Sequence, residues 1–292
     1  MYDVTFQTEA RYKSVKYGQG TIYSSACGPA SLCNALKVLG IASVSLPTMC
    51  KLAVSCGARV TGGTDMHQLL RAASKKYAFA YRTTSKNAEL LAHLKSGGTA
   101  ILHAGTEYKL FSTSGHFVCA AAAKGSTITV LDSYWYSSKY TSSAIRRNYV
   151  HVVNKGVVQT SLTQCGKATI DRAPSYYLIT KKPKTIKTTT KVNARAGAGV
   201  TKKKLGTIEK GAKLTVLDET TNWIKTYVWI ARKYCTVKDG KVTTKAVLNA
   251  RASNSIRSDK LGTICKGVAL TVMEMTENWV RVPFWVAKKY TK

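Results

Sequence analysis

The feature that most constrains this chain is an internal repeat. Shifted by 56 residues against itself, the sequence aligns 193–234 with 249–290 without a gap, and 21 of the 42 positions are identical. The shared frame opens on Asn-Ala-Arg-Ala (193–196 and 249–252) and passes through Lys-Leu-Gly-Thr-Ile-x-Lys-Gly (204–211 and 260–267) and Leu-Thr-Val (214–216 and 270–272). It continues with Asn-Trp (222–223 and 278–279) and closes on Trp229-Ile-Ala-Arg-Lys-Tyr234 and Trp285-Val-Ala-Lys-Lys-Tyr290. A module that occurs twice at a fixed period is one structural unit used twice. Its short β-branched and aromatic runs, broken by Gly and Asn-Trp turns, carry no helical period, so each copy reads as a small β-barrel of five or six strands.

The repeat divides the 292 residues. Residues 1–180 form the front domain and 191–235 and 246–292 the two modules. The basic, Thr-rich stretch 181–190 reads as an extended linker, and 236–245 as a second one. Charge runs through both halves. Residues 1–180 carry 20 basic and 7 acidic side chains, residues 181–292 carry 25 and 7, and the formal net charge is +31. Such a chain seeks a polyanion, and charge alone does not choose between nucleic acid, an anionic membrane surface and a phosphate-bearing wall polymer.

The paired modules resemble the bacterial SH3-like (SH3b) modules that follow the catalytic domain in cell-wall hydrolases, on the strength of the opening Asn-Ala-Arg-Ala, the central Leu-Gly-Thr-Ile-x-Lys-Gly and the Asn-Trp before a final aromatic strand. The resemblance implies a polar and aromatic groove that holds wall peptide or polymer, with Trp229, Tyr234, Trp285 and Tyr290 as stacking faces; aromatic residues of such a module can instead fill the barrel core, and that is the reading taken for Trp223 and Trp279. Two tethered copies turn weak binding into avidity.

Residues 1–180 run helix-rich first and strand-rich later. Cys27 to Leu39 is an apolar Ala/Leu-rich helix ended by Gly40; 46–56, 66–77 and 86–96 read as further helices, the third of these four capped by Thr64 or Asp65. Strands follow at Thr99–His103, His116–Ala122, Thr127–Leu131 and Tyr176–Thr180, an α+β pattern. Eight cysteines are too few for a disulfide scaffold and none stands in a CxxC pair or a Cys/His cluster of zinc spacing, so reduced thiols, no metal and no cofactor are expected. Cys33, Cys50, Cys56 and Cys119 fall in apolar patterns and read as small buried hydrophobes.

Cys27 differs from them. It opens its helix in Ser25-Ala-Cys-Gly-Pro-Ala-Ser31, where free backbone N–H groups and the helix dipole favour a thiolate. Gly28 leaves room for a substrate, and Pro29 is tolerated in the first turn. Attack on an amide also needs a proton donor for the leaving amine, an oxyanion donor and a group that holds the imidazole. His116 stands at the mouth of an apolar strand after Gly115 and is the expected base. The turn Lys124-Gly125-Ser126 brings back a strand ending in Asp132, which is placed to accept the ring N–H. Gln19, upstream of Cys27, offers an amide to the oxyanion.

Gln, then Cys-Gly-Pro-Ala-Ser on a helix, then Gly-His-Phe on a strand, then Asp on the next strand resembles the papain-like superfamily, specifically its bacteriocin-leader-peptidase-like group. This chain departs in Asp132-Ser133, where that group usually has Asp-Pro. The resemblance implies an α+β papain-like domain with Cys27 as nucleophile, His116 as general base and acid, Asp132 as orienter and Gln19 as oxyanion donor, followed by two small SH3b barrels.

Together the halves are similar to phage endolysins and autolysins of Gram-positive bacteria: a cysteine peptidase cutting amide bonds in the peptide stem or cross-bridge of peptidoglycan, drawn to anionic wall polymers. The N-acetylmuramoyl-L-alanine amidase cut uses the same residues and is the alternative; a leader-peptide processor and a noncatalytic polyanion binder are the others. A glycosidase is disfavoured because no carboxylate pair is evident among the seven acidic residues of 1–180. No nucleic-acid motif and no membrane span occurs. The start of the chain lacks a secretory signal, so a monomer that accumulates in the host cytoplasm before release to the wall is expected.

Overall fold

A computed structural model describes residues 1–292, which divide into two compact units, Met1–Lys182 and Pro183–Lys292.

In the first unit the helices are α1 (Cys27–Val38), α2 (Leu46–Ser55), α3 (Met66–Lys76), α4 (Asn87–Lys95), α5 (Ala144–Tyr149) and α6 (Leu162–Ala168). A one-turn helix, Ile22–Ser25, precedes α1. The main strands are β1 (Phe79–Thr84), β2 (Thr99–Ala104), β3 (His116–Lys124), β4 (Thr127–Leu131), β5 (His151–Asn154), β6 (Val157–Ser161) and β7 (Tyr176–Lys181), ordered β1-β7-β2-β3-β4-β6-β5 in one antiparallel sheet. The four helices and four strands expected from the sequence are present. β1, β5 and β6 are additional: β1 and β5 are edge strands that alternate weakly because most of their side chains face solvent.

Alternation along the central strands divides the core in two. Phe117, Cys119 and Ala121 of β3 pack with α1, α2 and α3, whereas Val118 and Ala120 face Leu90, Leu94, Cys165 and Ala168 of α4 and α6. Helix α1 is buried from Gly28 to Leu36, which explains why its sequence is apolar all round. Past its end the Ile41 N–H reaches back to the Leu36 carbonyl, closing the last turn. The N-caps of α2 and α3 are Ser45 and Asp65, accepting from the N–H groups of Thr48 and Gln68.

The second unit contains β8 (Thr185–Lys187), β9 (Val192–Arg195), β10 (Lys204–Ile208), β11 (Lys213–Thr215), β12 (Trp223–Ala231), β13 (Cys235–Lys238), β14 (Lys241–Thr244), β15 (Leu248–Arg251), β16 (Lys260–Ile264), β17 (Ala269–Thr271) and β18 (Trp279–Ala287). Its strands do not close two separate barrels. β12, β15, β16, β10, β9 and β18 pair in that order and β18 returns to β12, so three strands from each copy close a single ring over one shared core. The pairing is symmetric: Thr207 faces Thr263 and Tyr227 faces Pro283, each residue opposite its own counterpart 56 positions away. At the first crossing the backbones touch. A Cβ on Gly206 would stand 2.0 Å from the Thr263 carbonyl oxygen, and one on Gly262 2.1 Å from that of Thr207, so Gly is the one residue that fits.

Both expected linkers are also structured. β8 pairs with β11 and β14 with β17 in equivalent registers, so 185–187 and 241–243 are the first strand of each repeat. Thr188 and Thr244 make the same bonds 56 residues apart: their hydroxyls donate to the carbonyls of Glu209 and Cys265 and accept from the N–H groups of Ala212 and Val268. Basic and Thr-rich composition resembled a linker because these short strands bury only one apolar side chain each, Ile186 and Val242.

Candidate active site

Three structural devices bring Cys27, His116 and Asp132 together. The first is the seating of α1. Ser31, one turn after Cys27 on the same helix face, donates its hydroxyl to the Phe117 carbonyl at 2.9 Å, pinning the helix start beside the residue that follows His116. Gly28 belongs to this seat and does not clear space for a substrate: a Cβ there would meet Thr64 at 2.9 Å and Met66 at 3.1 Å. The second is Gly115, whose φ of +89° lets the chain turn into β3 immediately before the histidine.

The third is a β-bulge at Ala121. Near the hairpin turn Lys124 pairs with Thr127, but beyond the bulge Cys119 pairs with Leu131. In that register the next position sets Asp132 opposite Val118, two residues from His116 and on its face. One extra residue in β3 decides this, because a one-residue slip exchanges the two faces of a strand.

His116 Nε2 lies 2.8 Å from Asp132 Oδ1, which leaves Nδ1 for the thiol. Burial by itself would push the Cys27 thiol up. The His116 ring, with the backbone N–H groups of Phe117 and Gly28, more than offsets burial and holds the thiol pKa below its ordinary value. No side chain caps α1 at Ala26, so the dipole of the helix start acts in the same direction. For His116, burial and the Lys139 charge push the ring down, but Asp132 outweighs them and its pKa stands above the usual imidazole value. This environment favours a thiolate–imidazolium pair.

Asp132 is fully buried and has four donors: His116 and the Tyr134 N–H on Oδ1, the Lys139 ammonium at 2.5 Å and the Tyr140 hydroxyl at 2.6 Å on Oδ2. Burial opposes its ionisation, yet Lys139 and His116 hold the carboxyl well below the usual range. The sequence reading missed Lys139 and Tyr140. Their only signal is the aromatic run Tyr134-Trp-Tyr136 just ahead of them, which shows nothing of where the chain folds back.

Gln19 does not join these residues. It lies exposed in the turn between the two-residue strands Lys16–Tyr17 and Gly20–Thr21, because the two-residue hairpin carries its side chain outward. A different glutamine, Gln7, reaches the cavity instead. Gln7 is buried and lines the same cavity as Cys27; its amide donates to the Tyr23 carbonyl at 3.0 Å, and its amide oxygen accepts from Ser133. The second amide hydrogen remains for a ligand. Gln7 is held from 126 residues away, a contact no local pattern announces. The cavity has a volume of about 470 Å³. The four remaining histidines line no part of it.

A second concave surface lies in the all-β unit, about 680 Å³, where Tyr234 of the first copy meets Asn249, Arg251, Asn278 and Trp279 of the second. Of the four aromatic residues expected to offer stacking faces, Tyr234 and Tyr290 are exposed and Trp285 is half-buried. Trp229 offers none: it is buried beneath the Arg281 guanidinium, 5.7 Å from its ring centroid. Trp223 and Trp279 are half-buried rather than core residues.

No protein-family model matches this chain, and no curated protein sequence matches it. Among solved structures, it is similar to that of a candidate C39-like peptidase from Bacillus anthracis, at 11% identity and a TM-score of 0.41 over 63% of this chain and 96% of that one. It is also similar to Ly7917 in complex with the hydrolysing product of MDP, at 13% identity and a TM-score of 0.22 over 85% of this chain and 87% of that one. A further structure of Ly7917 matches at 13% and 0.20, over 75% and 67%. None of these TM-scores reaches 0.5, so the chemistry is taken from the side chains of this chain alone.

Proposed function

We propose that this chain is a cysteine hydrolase that cuts amide bonds in the peptide stem or cross-bridge of peptidoglycan. The observation that carries the reading is the line of half-buried Cys27 with buried His116 and Asp132, opening on a cavity that also holds the Gln7 amide. In the mechanism the Cys27 thiolate attacks the amide carbonyl carbon, and Gln7 with the first-turn N–H groups of α1 receives the oxyanion. His116, protonated in the resting pair, gives its proton to the departing amine as the C–N bond breaks. The neutral ring then takes a proton from water, which attacks the thioester and frees the acid and the thiolate. Asp132 holds the ring in orientation throughout.

The wall as substrate is supported by the net charge of +31, by the likeness of the duplicated modules to the SH3b modules of wall hydrolases, and by the aromatic and polar groove around Trp279 and Tyr234. On this reading the all-β unit, in SH3b fashion, adsorbs the enzyme to peptidoglycan and anionic wall polymers.

Purified Gram-positive walls incubated with wild type should clear and with Cys27→Ala should not. Mass spectrometry of the fragments should show new amino termini within the stem or bridge. New termini only at the sugar-linked alanine would move the enzyme to the amidases, and clearing by Cys27→Ala would end the hydrolase reading. Adsorption of Cys27→Ala to walls should weaken as salt rises.

A further inference from the structure

The cavity beside Cys27 contains a charge that the hydrolysis does not use. Arg146 extends from α5 into its wall and is only 5% exposed. Its Nε donates to the carbonyls of Lys109 and Leu110 at 3.2 and 3.1 Å, and its Nη1 to the Lys139 carbonyl and the Ser142 hydroxyl, both at 3.1 Å. Nη2 has no partner. Every one of these acceptors is neutral, and no carboxylate forms an ion pair with the guanidinium. The other buried cation of the cavity, Lys139, differs in being matched by Asp132.

A buried cation without a counter-ion is expensive, and a fold keeps one where something else supplies the negative charge. No acidic residue lines this cavity. With Lys139 balanced by Asp132 and a thiolate balanced by the imidazolium, the guanidinium is the one uncompensated charge that remains. Beside it stand Ser112, Thr113 and Ser114, whose hydroxyls add neutral donors. They belong to the same segment, 105–115, that Arg146 holds in place through Lys109 and Leu110, so the charge and its supporting donors are set in position together.

We infer that Arg146 binds a carboxylate of the substrate, so that the enzyme acts on an acidic peptide whose free carboxylate flanks the cleaved amide. This rests on the hydrolase reading above and narrows it. Nη2 donates to the carboxylate, a charge-assisted bond from a guanidinium that the rest of its shell already holds in place.

The test compares two soluble peptides, identical except that the residue beside the scissile amide carries a free carboxylate in one and a carboxamide in the other. Wild type should prefer the carboxylate peptide by about tenfold to a hundredfold in kcat/KM, mainly through KM, the range a single charge-assisted bond supplies. Calorimetric titration of Cys27→Ala should show the same order of affinities. Arg146→Lys should keep part of the preference and Arg146→Met should collapse it. Because Arg146 also braces two loops, the wild-type and Cys27→Ala comparisons decide the matter even where Arg146→Met does not fold. Cleavage of both peptides with equal kcat/KM would remove the carboxylate subsite and leave the hydrolase standing. Cleavage of neither, while Cys27→Ala still binds the carboxylate peptide more tightly, would remove the hydrolase and keep the subsite. Neither cleavage nor binding would remove both.

Discussion

The Lys139 ammonium lies 2.5 Å from Oδ2 of Asp132, while the other oxygen of that carboxylate takes the His116 ring. One buried carboxylate therefore serves two cations, and each limits how strongly the other can use it. Lys139 pushes the His116 proton off, while Asp132 holds it on.

Lys139→Met should therefore raise the His116 pKa. The thiolate–imidazolium pair survives until the ring loses its proton, so the alkaline limb of kcat/KM against pH should move to higher pH in the variant. The same change should lower stability by about 3 kcal/mol, since it removes one partner of a buried pair. Denaturant unfolding measures the second effect; an unmoved alkaline limb would contradict the first.

His116→Ala should reduce kcat by about 10³-fold or more, the scale of lost general acid–base catalysis. Asp132→Asn should reduce it by a smaller factor, because the amide still fits the pocket and can still accept a bond. Asn is the milder variant: it keeps one acceptor oxygen and sets an amide NH2 against the other pair of donors, whereas Asp132→Ala would strand all four. Equal losses in His116→Ala and Asp132→Asn, measured on a soluble stem peptide, would argue against the division of roles.

Thiol reactivity should separate Cys27 from the buried cysteines. Its pKa lies below the ordinary value, whereas burial pushes Cys33 and Cys165 up to about 12 and Cys50 and Cys119 beyond that. Iodoacetamide near neutral pH should label Cys27 before these four and abolish turnover as it does so. Peptide mapping after brief alkylation, with Cys27→Ala as control, checks the order.

His103 should make the fold acid-sensitive. Stacked on Phe117 with ring centroids 4.4 Å apart, it is pushed down to about 4 by burial, with Arg172 adding to the shift and Asp171 opposing it. A base with a depressed folded pKa stabilises the protein fully above its unfolded value of about 6.5 and loses that contribution as pH falls toward 4. His103→Gln should flatten the fall in unfolding free energy between pH 6.5 and 4, read from denaturant melts at several pH values. A slope unchanged from wild type would place the acid sensitivity elsewhere.

The shared barrel should not survive division. Residues 183–238 alone carry three of the six ring strands, so that fragment should show no cooperative unfolding by circular dichroism. Gly206→Ala should destabilise the second unit by several kcal/mol, since its Cβ meets backbone that has no room to yield. A cooperatively folded fragment would restore the picture of independent modules.

Features that depend on neighbouring residues were legible in the sequence. A cysteine at the uncapped start of an apolar helix, a histidine after Gly115 at a strand mouth and an aspartate past the next strand all appear in short windows, because helix periodicity, strand alternation and turn chemistry are local, and the 56-residue duplication shows when the chain is compared with itself. The rest was decided by tertiary structure. Gln7 rather than Gln19 reaches the cavity, and Lys139 and Arg146 turn inward. The bulge at Ala121 puts Asp132 on the His116 face, and the duplicated strands close one ring instead of two. In each case the choice lies in how distant segments meet, in a register or a fold-back that costs little to alter locally. The buried contacts that select it form between residues far apart in the chain, and no short window of sequence contains both partners.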